Sequence, residues 1–156
     1  MRIGLLSDTH GLLRPEALAF LAGADHLIHA GDIVDPAILD RLRAMAPLTV
    51  VRGNNDFGPW ADAIAETEWV ELGGVAFYVI HDLNQLPLDP AAAGIGVVVS
   101  GHSHKPLIEM RDGVVYANPG SCGPRRFKLP ISAAELTVEG GKVAGRIVEL
   151  LPAGAK

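Results

Sequence analysis

The chain has 156 residues, of which 49% are hydrophobic, and its formal net charge is −5. This length and composition fit one domain with a sizeable core, and the negative charge provides no general basic surface for nucleic acid or anionic membrane. The single cysteine, Cys122, excludes an internal disulfide and fits a reducing cytoplasm. No stretch approaches the roughly 18 apolar residues of a membrane span, and the N-terminal apolar run is too short for a signal peptide. We therefore expect a cytoplasmic protein with one domain over residues 1–151 and a frayed tail at 152–156.

The first third of the chain alternates strand and helix patterns. One helix is predicted from Pro15, a typical helix-start residue, to Leu21. A second is predicted from Asp35, as its N-cap, with Pro36 as the first helical residue, through about Met45. This βαβαβ rhythm predicts parallel strands covered by helices. The strand patterns occupy residues 3–7, 27–30 and 48–51.

The second part of the chain is rich in hairpin signals. Paired apolar runs flank the two-residue turns Gly73-Gly74, Asp112-Gly113 and Gly140-Gly141, and a short apolar strand is predicted at residues 97–100. Repeated hairpins imply antiparallel strands. We predict an α/β fold in which two β-sheets pack together with helices outside them.

Five apolar runs end in residues that bind hard metal ions. In an open α/β sheet, ligands bind in the crevice beyond the carboxyl ends of the strands, so these segments should deliver their polar side chains to one place. The segments are Ser7-Asp8-Thr9-His10, Ala30-Gly31-Asp32, Arg52-Gly53-Asn54-Asn55-Asp56, Ile80-His81-Asp82 and Ser100-Gly101-His102-Ser103-His104.

The chemistry of these segments indicates a divalent metal site. Asp8 and His10 are two residues apart, as are His102 and His104, so on extended backbone each pair presents its side chains to the same side. Carboxylate, imidazole and amide ligands without thiolate suit Mn, Fe or Zn. Seven candidates exceed the needs of one tetrahedral ion, whereas two ions that share a carboxylate fit the number. Such a site has a net positive charge, and a phosphate ester is its natural guest.

At these residues the chain closely resembles the calcineurin-like metallophosphoesterase superfamily, and within it the small bacterial and archaeal phosphodiesterase family. Six motifs follow the family order: Asp-x-His, Gly-Asp, Gly-Asn-x-Asp, a lone His, Gly-His-x-His and Asn-Pro-Gly-Ser. The resemblance implies a four-layer αββα sandwich with two mixed β-sheets flanked by helices. It also implies a first metal bound by Asp8, His10, Asp32 and His104, and a second bound by Asp32, Asn54, His81 and His102.

The resemblance further implies a dinuclear-metal-dependent phosphodiesterase, in which hydroxide between the metals attacks phosphorus in line. Mn is the ion most expected, with Ni, Co, Fe or Zn as alternatives. The catalytic residues would be Asp32, Asn54 and His102, and the substrate-binding residues Asn54, Asn55 and Arg125. Many relatives have His at the position of Asn55, where it helps to protonate the leaving group. Asn cannot act as an acid, so the general acid is unassigned.

Other functions compete with this one. The same fold could serve as a metal-binding interaction scaffold without significant catalysis, as in the retromer subunit, or as a phosphomonoesterase or nuclease. The filled ligand set favours an enzyme, and the acidic charge disfavours long nucleic acid as a substrate. We expect a small phosphate-ester substrate and no membrane partner, and the sequence leaves homo-oligomerisation open. Structural roles are predicted for His29 as a hydrogen-bonded core residue, for Asp56 as a loop former, and for Arg52 and Cys122.

Overall fold

A computed structural model describes residues 1–151, so the predicted tail at 152–156 lies outside the described residues. The three α-helices of this part are α1 (Pro15–Leu21), α2 (Ala37–Arg43) and α3 (Pro59–Asp62), and one 3₁₀ helix spans Leu83–Gln85. The strands are β1 (Arg2–Leu6), β2 (His26–His29), β3 (Leu48–Val50), β4 (Thr67–Leu72), β5 (Val75–Ile80), β6 (Val97–Val99), β7 (Leu107–Arg111), β8 (Val114–Asn118), β9 (Ile131–Glu139) and β10 (Lys142–Leu151).

The strands form two five-stranded mixed sheets, which confirms the predicted fold class. The first sheet has the order β10-β9-β1-β2-β3, and the second has the order β4-β5-β6-β8-β7. The βαβαβ segment supplies the parallel strands β1, β2 and β3 of the first sheet. The three predicted hairpins are β4-β5, β7-β8 and β9-β10, and the register of each leaves a two-residue turn.

The alternating direction of the buried side chains along β1 shows how the layers are held together. Ile3 and Leu5 point into the core between the sheets, where they join Phe77 and Val99 of the second sheet. Leu6 points to the opposite face and packs in the cluster that contains the helices of the first layer. This period of two is what a strand covered on both faces requires.

The outer face of the second sheet has a thinner cover. Tyr78, Val98 and Val114 on this face pack with Ile95 and Leu83, which belong to the segment between β5 and β6. Within residues 1–151, the only helix in that segment is the 3₁₀ helix. The α-helices α1 and α2 place their buried side chains in the core of the first sheet.

The helix boundaries differ slightly from the prediction. Helix α1 spans Pro15 to Leu21 as predicted. Helix α2 begins at Ala37, one residue later than expected, but Asp35 Oδ1 still accepts a hydrogen bond from the Ala37 N–H at 3.0 Å. The short helix α3 was not predicted from the sequence. No helix in residues 1–151 combines the length and the apolar character needed to cross a bilayer.

Candidate metal centre

The side chains predicted to bind metal meet beyond the carboxyl ends of five strands, β1, β2 and β3 of the first sheet and β5 and β6 of the second. Because the two sheets pack face to face, side chains from both reach the same crevice. Every one of the seven is within 4.0 Å of at least one other through its ligand atoms. They are Asp8, His10, Asp32, Asn54, His81, His102 and His104.

One group of ligand atoms is centred on Asp8. Its Oδ1 lies 3.7 Å from His10 Nε2 and 3.4 Å from His104 Nε2. Asp32 Oδ2 lies 3.6 Å from the same His10 nitrogen. Donor atoms that share an ion at about 2.1 Å lie roughly 3.0–3.5 Å apart, so this spacing suits a common cation better than direct hydrogen bonds. These are the four residues of the predicted first metal site.

A second group is centred on Asn54. Its Oδ1 lies 2.9 Å from His81 Nε2 and 3.1 Å from His102 Nδ1. Asp32 Oδ2 lies 3.3 Å from His81 Nε2, so Asp32 contacts both groups. Asp8 Oδ1 also comes within 4.0 Å of His81 Nε2. The structure therefore places Asp32 between the two predicted ligand sets, as a bridging carboxylate requires.

Unpartnered polar atoms are the strongest sign that a cation fits here. Among residues 1–151, four buried side-chain nitrogen or oxygen atoms lack a hydrogen-bond partner: Asp8 Oδ1, His10 Nε2 and both ring nitrogens of His104. Leaving such groups unsatisfied costs about 1–3 kcal/mol each, and more for a charged group. Three of these atoms are the ones that face one another in the first group. A divalent ion would satisfy all three at once.

In Asp8 and His81, the second hydrogen-bonding atom of the side chain already has a partner, which directs the other atom at the site. Asp8 Oδ2 accepts hydrogen bonds from the Ser7 hydroxyl at 2.6 Å and from the His102 N–H at 3.1 Å, which leaves Oδ1 free. His81 Nδ1 donates to the Ala30 carbonyl at 2.7 Å, which directs Nε2 inward. Hydrogen bonds of this kind fix the orientation of metal ligands. Sequence reasoning missed Ser7, because strand alternation would point it away from Asp8.

The backbone of the ligand segments is not extended, and this corrects one step of the sequence analysis. Asp8 and His10 have φ values of 55° and 45°, and His102 and His104 have φ values of 72° and 63°. Asp32 is also left-handed, with a φ of 59°. Each such residue costs about 1–3 kcal/mol. The members of each pair still reach the centre, but tight turns bring them there, and His102 and His104 enter different groups.

Asp56 holds this strained backbone in place, as its predicted loop-forming role requires. Its Oδ2 accepts from the N–H groups of Asp32 at 3.0 Å and Gly53 at 2.8 Å. Its Oδ1 accepts from the N–H groups of Ile33 and Val34, both at 2.8 Å. One buried carboxylate thereby fastens the loop after β2 to the loop after β3. Four charge-assisted bonds offset the strain at Asp32.

Two glycines permit close packing around the carboxylates. A Cβ atom on Gly53 would lie 2.2 Å from Asp32 Oδ1, and one on Gly101 would lie 2.0 Å from Ser7 Oγ. Both distances are shorter than any non-bonded contact. Glycine is required at these positions because the backbone itself forms the wall of the site.

The electrostatics of the centre favour positive charge. Burial alone would raise the pKa of Asp8, but the adjacent His10, His104 and Ser7 side chains outweigh it and hold the pKa well below its ordinary value. Burial likewise opposes a lowered pKa at Asp32, and hydrogen bonds from His81 and Asn55 overcome it. Both carboxylates are therefore ionised at physiological pH.

The same two carboxylates also shift the pKa of His81. Burial would lower its pKa, but hydrogen bonding to Asp32 and the charges of Asp8 and Asp32 raise it above its ordinary value. The two carboxylates thus attract a cation to the point where His81 Nε2 and Asn54 Oδ1 meet.

Of the predicted substrate contacts, Asn55 lies in the centre and Arg125 has a contact elsewhere. The Asn55 backbone N–H donates to Asp32 Oδ1, and its side-chain Nδ2 donates to Asp32 Oδ2, both at 2.9 Å. The Arg125 guanidinium donates to the Leu129 carbonyl at 2.8 Å, within its own loop. Substrate binding by Arg125 stays a prediction.

The predicted structural residues have the expected surroundings. His29 is fully buried, accepts the Gly31 N–H on Nδ1 at 3.1 Å and donates from Nε2 to Thr9 Oγ1 at 3.0 Å. Burial lowers the pKa of His29 to about 4, so the ring is neutral. Cys122 is fully buried, and burial raises its pKa to about 12, which excludes a thiolate nucleophile at neutral pH. Arg52 pairs with Glu66 at 3.0 Å.

Comparison with known families agrees with the geometry of the centre. Residues 1–141 match the family model of the calcineurin-like phosphoesterase superfamily domain. The chain belongs to this superfamily. The match covers all the strand ends that supply the candidate ligands, and it confirms the resemblance seen in the motifs.

The relatives of this superfamily member include archaeal proteins. A probable metallophosphoesterase of Methanocaldococcus jannaschii is 34% identical over 152 residues, which is 89% of this chain and 77% of that protein. A phosphodiesterase from the same organism is 31% identical over 140 residues, which is 78% of this chain and 84% of that protein. These similarities support a phosphoesterase of the small bacterial and archaeal type.

Solved structures show the same fold. An archaeal phosphodiesterase superimposes with a TM-score of 0.78 at 25% identity, and the match covers 95% of this chain and 100% of that chain. Zinc-bound Vps29 from Entamoeba histolytica superimposes with a TM-score of 0.73 at 21% identity, covering 96% of this chain and 99% of that chain. The likeness to Vps29 concerns the fold alone. The chain thus has the metallo-dependent phosphatase fold.

Proposed function

We propose that the protein is a dinuclear-metal-dependent phosphodiesterase that hydrolyses a small phosphate ester by in-line attack of hydroxide. The observation that carries this proposal is the cluster of unpartnered ligand atoms around Asp8 and His104, next to the shared carboxylate of Asp32. The preference for diesters over monoesters is supported by the similarity to an archaeal phosphodiesterase.

The residues of the chain fit two ions with Asp32 between them. Asp8, His10, Asp32 and His104 would hold one ion, and Asp32 with Asn54, His81 and His102 would hold the other. Two divalent ions, for which Mn is our first choice, would make hydroxide available near neutral pH and neutralise charge on the phosphate. His102 is 44% exposed in its side chain and therefore marks the side from which substrate enters.

Asn55 positions the shared carboxylate instead of donating a proton. Both of its hydrogen bonds go to Asp32, so the residue that replaces the family's histidine has become part of the metal-binding frame. The chain then favours substrates whose leaving group departs without help from a strong acid. Aryl and other low-pKa alcohols satisfy this condition.

The proposal is tested with purified protein loaded with Mn. Bis-p-nitrophenyl phosphate should be hydrolysed faster than p-nitrophenyl phosphate, and bound metal should approach two ions per chain by elemental analysis. Asp32→Asn should lose at least about a hundredfold in turnover because both ions lose a charged ligand. Absence of metal-dependent turnover with either ester would refute the enzyme proposal and favour an interaction scaffold. Faster monoester turnover would refute the diesterase assignment.

A further inference from the structure

Two grooves adjoin the second ligand group, and they share His102 and Asp82. One, of about 480 Å³, is lined by polar side chains that include Arg52 and Gln85. The other, of about 490 Å³, is lined by Leu83, Leu107 and Tyr116, and we call it the Tyr116 groove. The segment at residues 82–85 contributes to both grooves, with Gln85 in the first and Leu83 in the second. Both volumes are typical of small-molecule sites.

The Tyr116 groove exists because the second sheet is thinly covered. The 3₁₀ helix packs Leu83 against the sheet, but Leu107 on the edge strand β7 remains 45% exposed. The groove lies between these elements and continues to His102, a candidate ligand of the second ion. A group bound in it would be joined to the reacting phosphorus by a short link.

The chemistry of the groove favours a planar aromatic guest with negative charge nearby. The Arg111 guanidinium lies 4.9 Å from the centre of the Tyr116 ring, and the two form a cation–π pair. Lys105 lines the same groove and adds a second cationic side chain. Arg111 is already paired with Glu109 on the same strand, so Lys105 is the cation that complements a phosphodiester anion, while the Arg111–Tyr116 pair provides a surface on which an aromatic ring stacks.

We propose that the Tyr116 groove binds an aromatic ester arm of the substrate, so that the enzyme acts on phosphodiesters with a planar aromatic group, such as a nucleoside or an aryl alcohol. The polar groove beside Arg52 then receives the other arm. This proposal rests on the proposed function, because it requires the phosphate to bind at the metal centre. A diester has two arms, and the two grooves that meet at His102 provide a place for each.

The test uses phosphonates, which bind like phosphate esters but are not hydrolysed. The affinities of phenylphosphonate and methylphosphonate for the Mn-loaded protein are measured by isothermal titration calorimetry. Wild-type protein should bind phenylphosphonate about tenfold more tightly, which corresponds to removing roughly 60 Å² of ring surface from water. Tyr116→Ala should reduce this ratio to about threefold or less, and Tyr116→Phe should preserve it. Methylphosphonate and Mn affinities should not change in either variant.

Leu107→Ser provides a second variant in case Tyr116→Ala does not fold, because Leu107 lies on an exposed edge strand. It should also reduce the ratio. Equal affinities for the two phosphonates in wild type, or an unchanged ratio in the variants, would overturn the groove proposal and leave the phosphoesterase proposal standing. An aryl preference without turnover of bis-p-nitrophenyl phosphate would support the groove and overturn catalysis. Binding of neither phosphonate to the Mn-loaded protein would overturn both.

Discussion

The carboxylate of Asp56 offers a direct test of how the metal centre is built. Its two oxygens accept four backbone N–H groups, two on each, from the loops after β2 and β3. Asp56→Asn preserves shape but replaces one oxygen with an NH₂ group, which would face two N–H donors whichever way the amide turns. Two charge-assisted hydrogen bonds are lost at about 1.5–3 kcal/mol each, so the free energy of unfolding should fall by about 3–6 kcal/mol.

This loss is smaller than most of the typical 5–15 kcal/mol range of domain stability, so the variant should still fold, but with weaker metal binding. Urea unfolding followed by tryptophan fluorescence measures the free energy, and calorimetric titration measures Mn affinity. Mn affinity should fall as well, because Asp56 accepts the Asp32 N–H. Asp62→Asn is the matched control, since that side chain is 77% exposed and 3.7 Å from Arg52. It should change stability by less than about 0.5 kcal/mol. A loss below about 1 kcal/mol in Asp56→Asn would refute this account.

Three other changes test separate parts of the site. Asn55→Ala removes the hydrogen bond to Asp32 Oδ2 and should lower Mn affinity several-fold; unchanged calorimetric affinity would contradict a positioning role. Asp82 Oδ2 lies 3.9 Å from His102 Nε2, and the other ring nitrogen of His102 faces Asn54. Asp82→Asn should therefore lower the affinity for the second Mn ion about tenfold and leave the affinity for the first unchanged. Burial holds the pKa of His29 at about 4 in the folded protein, below its ordinary value of 6.5, so the unfolded chain binds more protons and the free energy of unfolding decreases as the pH drops below 6.5. Wild type should lose about 2 kcal/mol between pH 7 and pH 5 through this group, and denaturant titrations of His29→Gln should show a correspondingly smaller loss.

Much of the fold and most of the centre could be predicted because the signals are local. Apolar runs, turn pairs such as Gly73-Gly74 and helix-start prolines such as Pro15 give strands, hairpins and helices directly. The ligands could be predicted because parallel strands end at one edge and because each ligand type stands at a strand end.

What could not be predicted depends on contacts between distant segments. The four N–H groups around Asp56 and the hydrogen bonds from Asn55 to Asp32 exist only after two loops pack together. The left-handed backbone of Asp8 and His102 has no sequence signal, since neither is glycine. The thin cover over the second sheet, and with it the Tyr116 groove, depends on the packing of α1 and α2 against the first sheet.

The position of β1 in its sheet has a consequence for biosynthesis. β1 pairs with β2 on one side, but on the other side Leu5 pairs with Ala134 of β9. The turn that follows β1 is likewise fixed from far along the chain, because Ser121 Oγ donates to the Asp8 carbonyl across a separation of 113 residues. Long-range pairing of this kind slows folding. Until Ser121 and β9 have been synthesised, Asp8 and His10 lack this support. The centre therefore reaches its final form only after β9 and the Ser121 loop have joined β1.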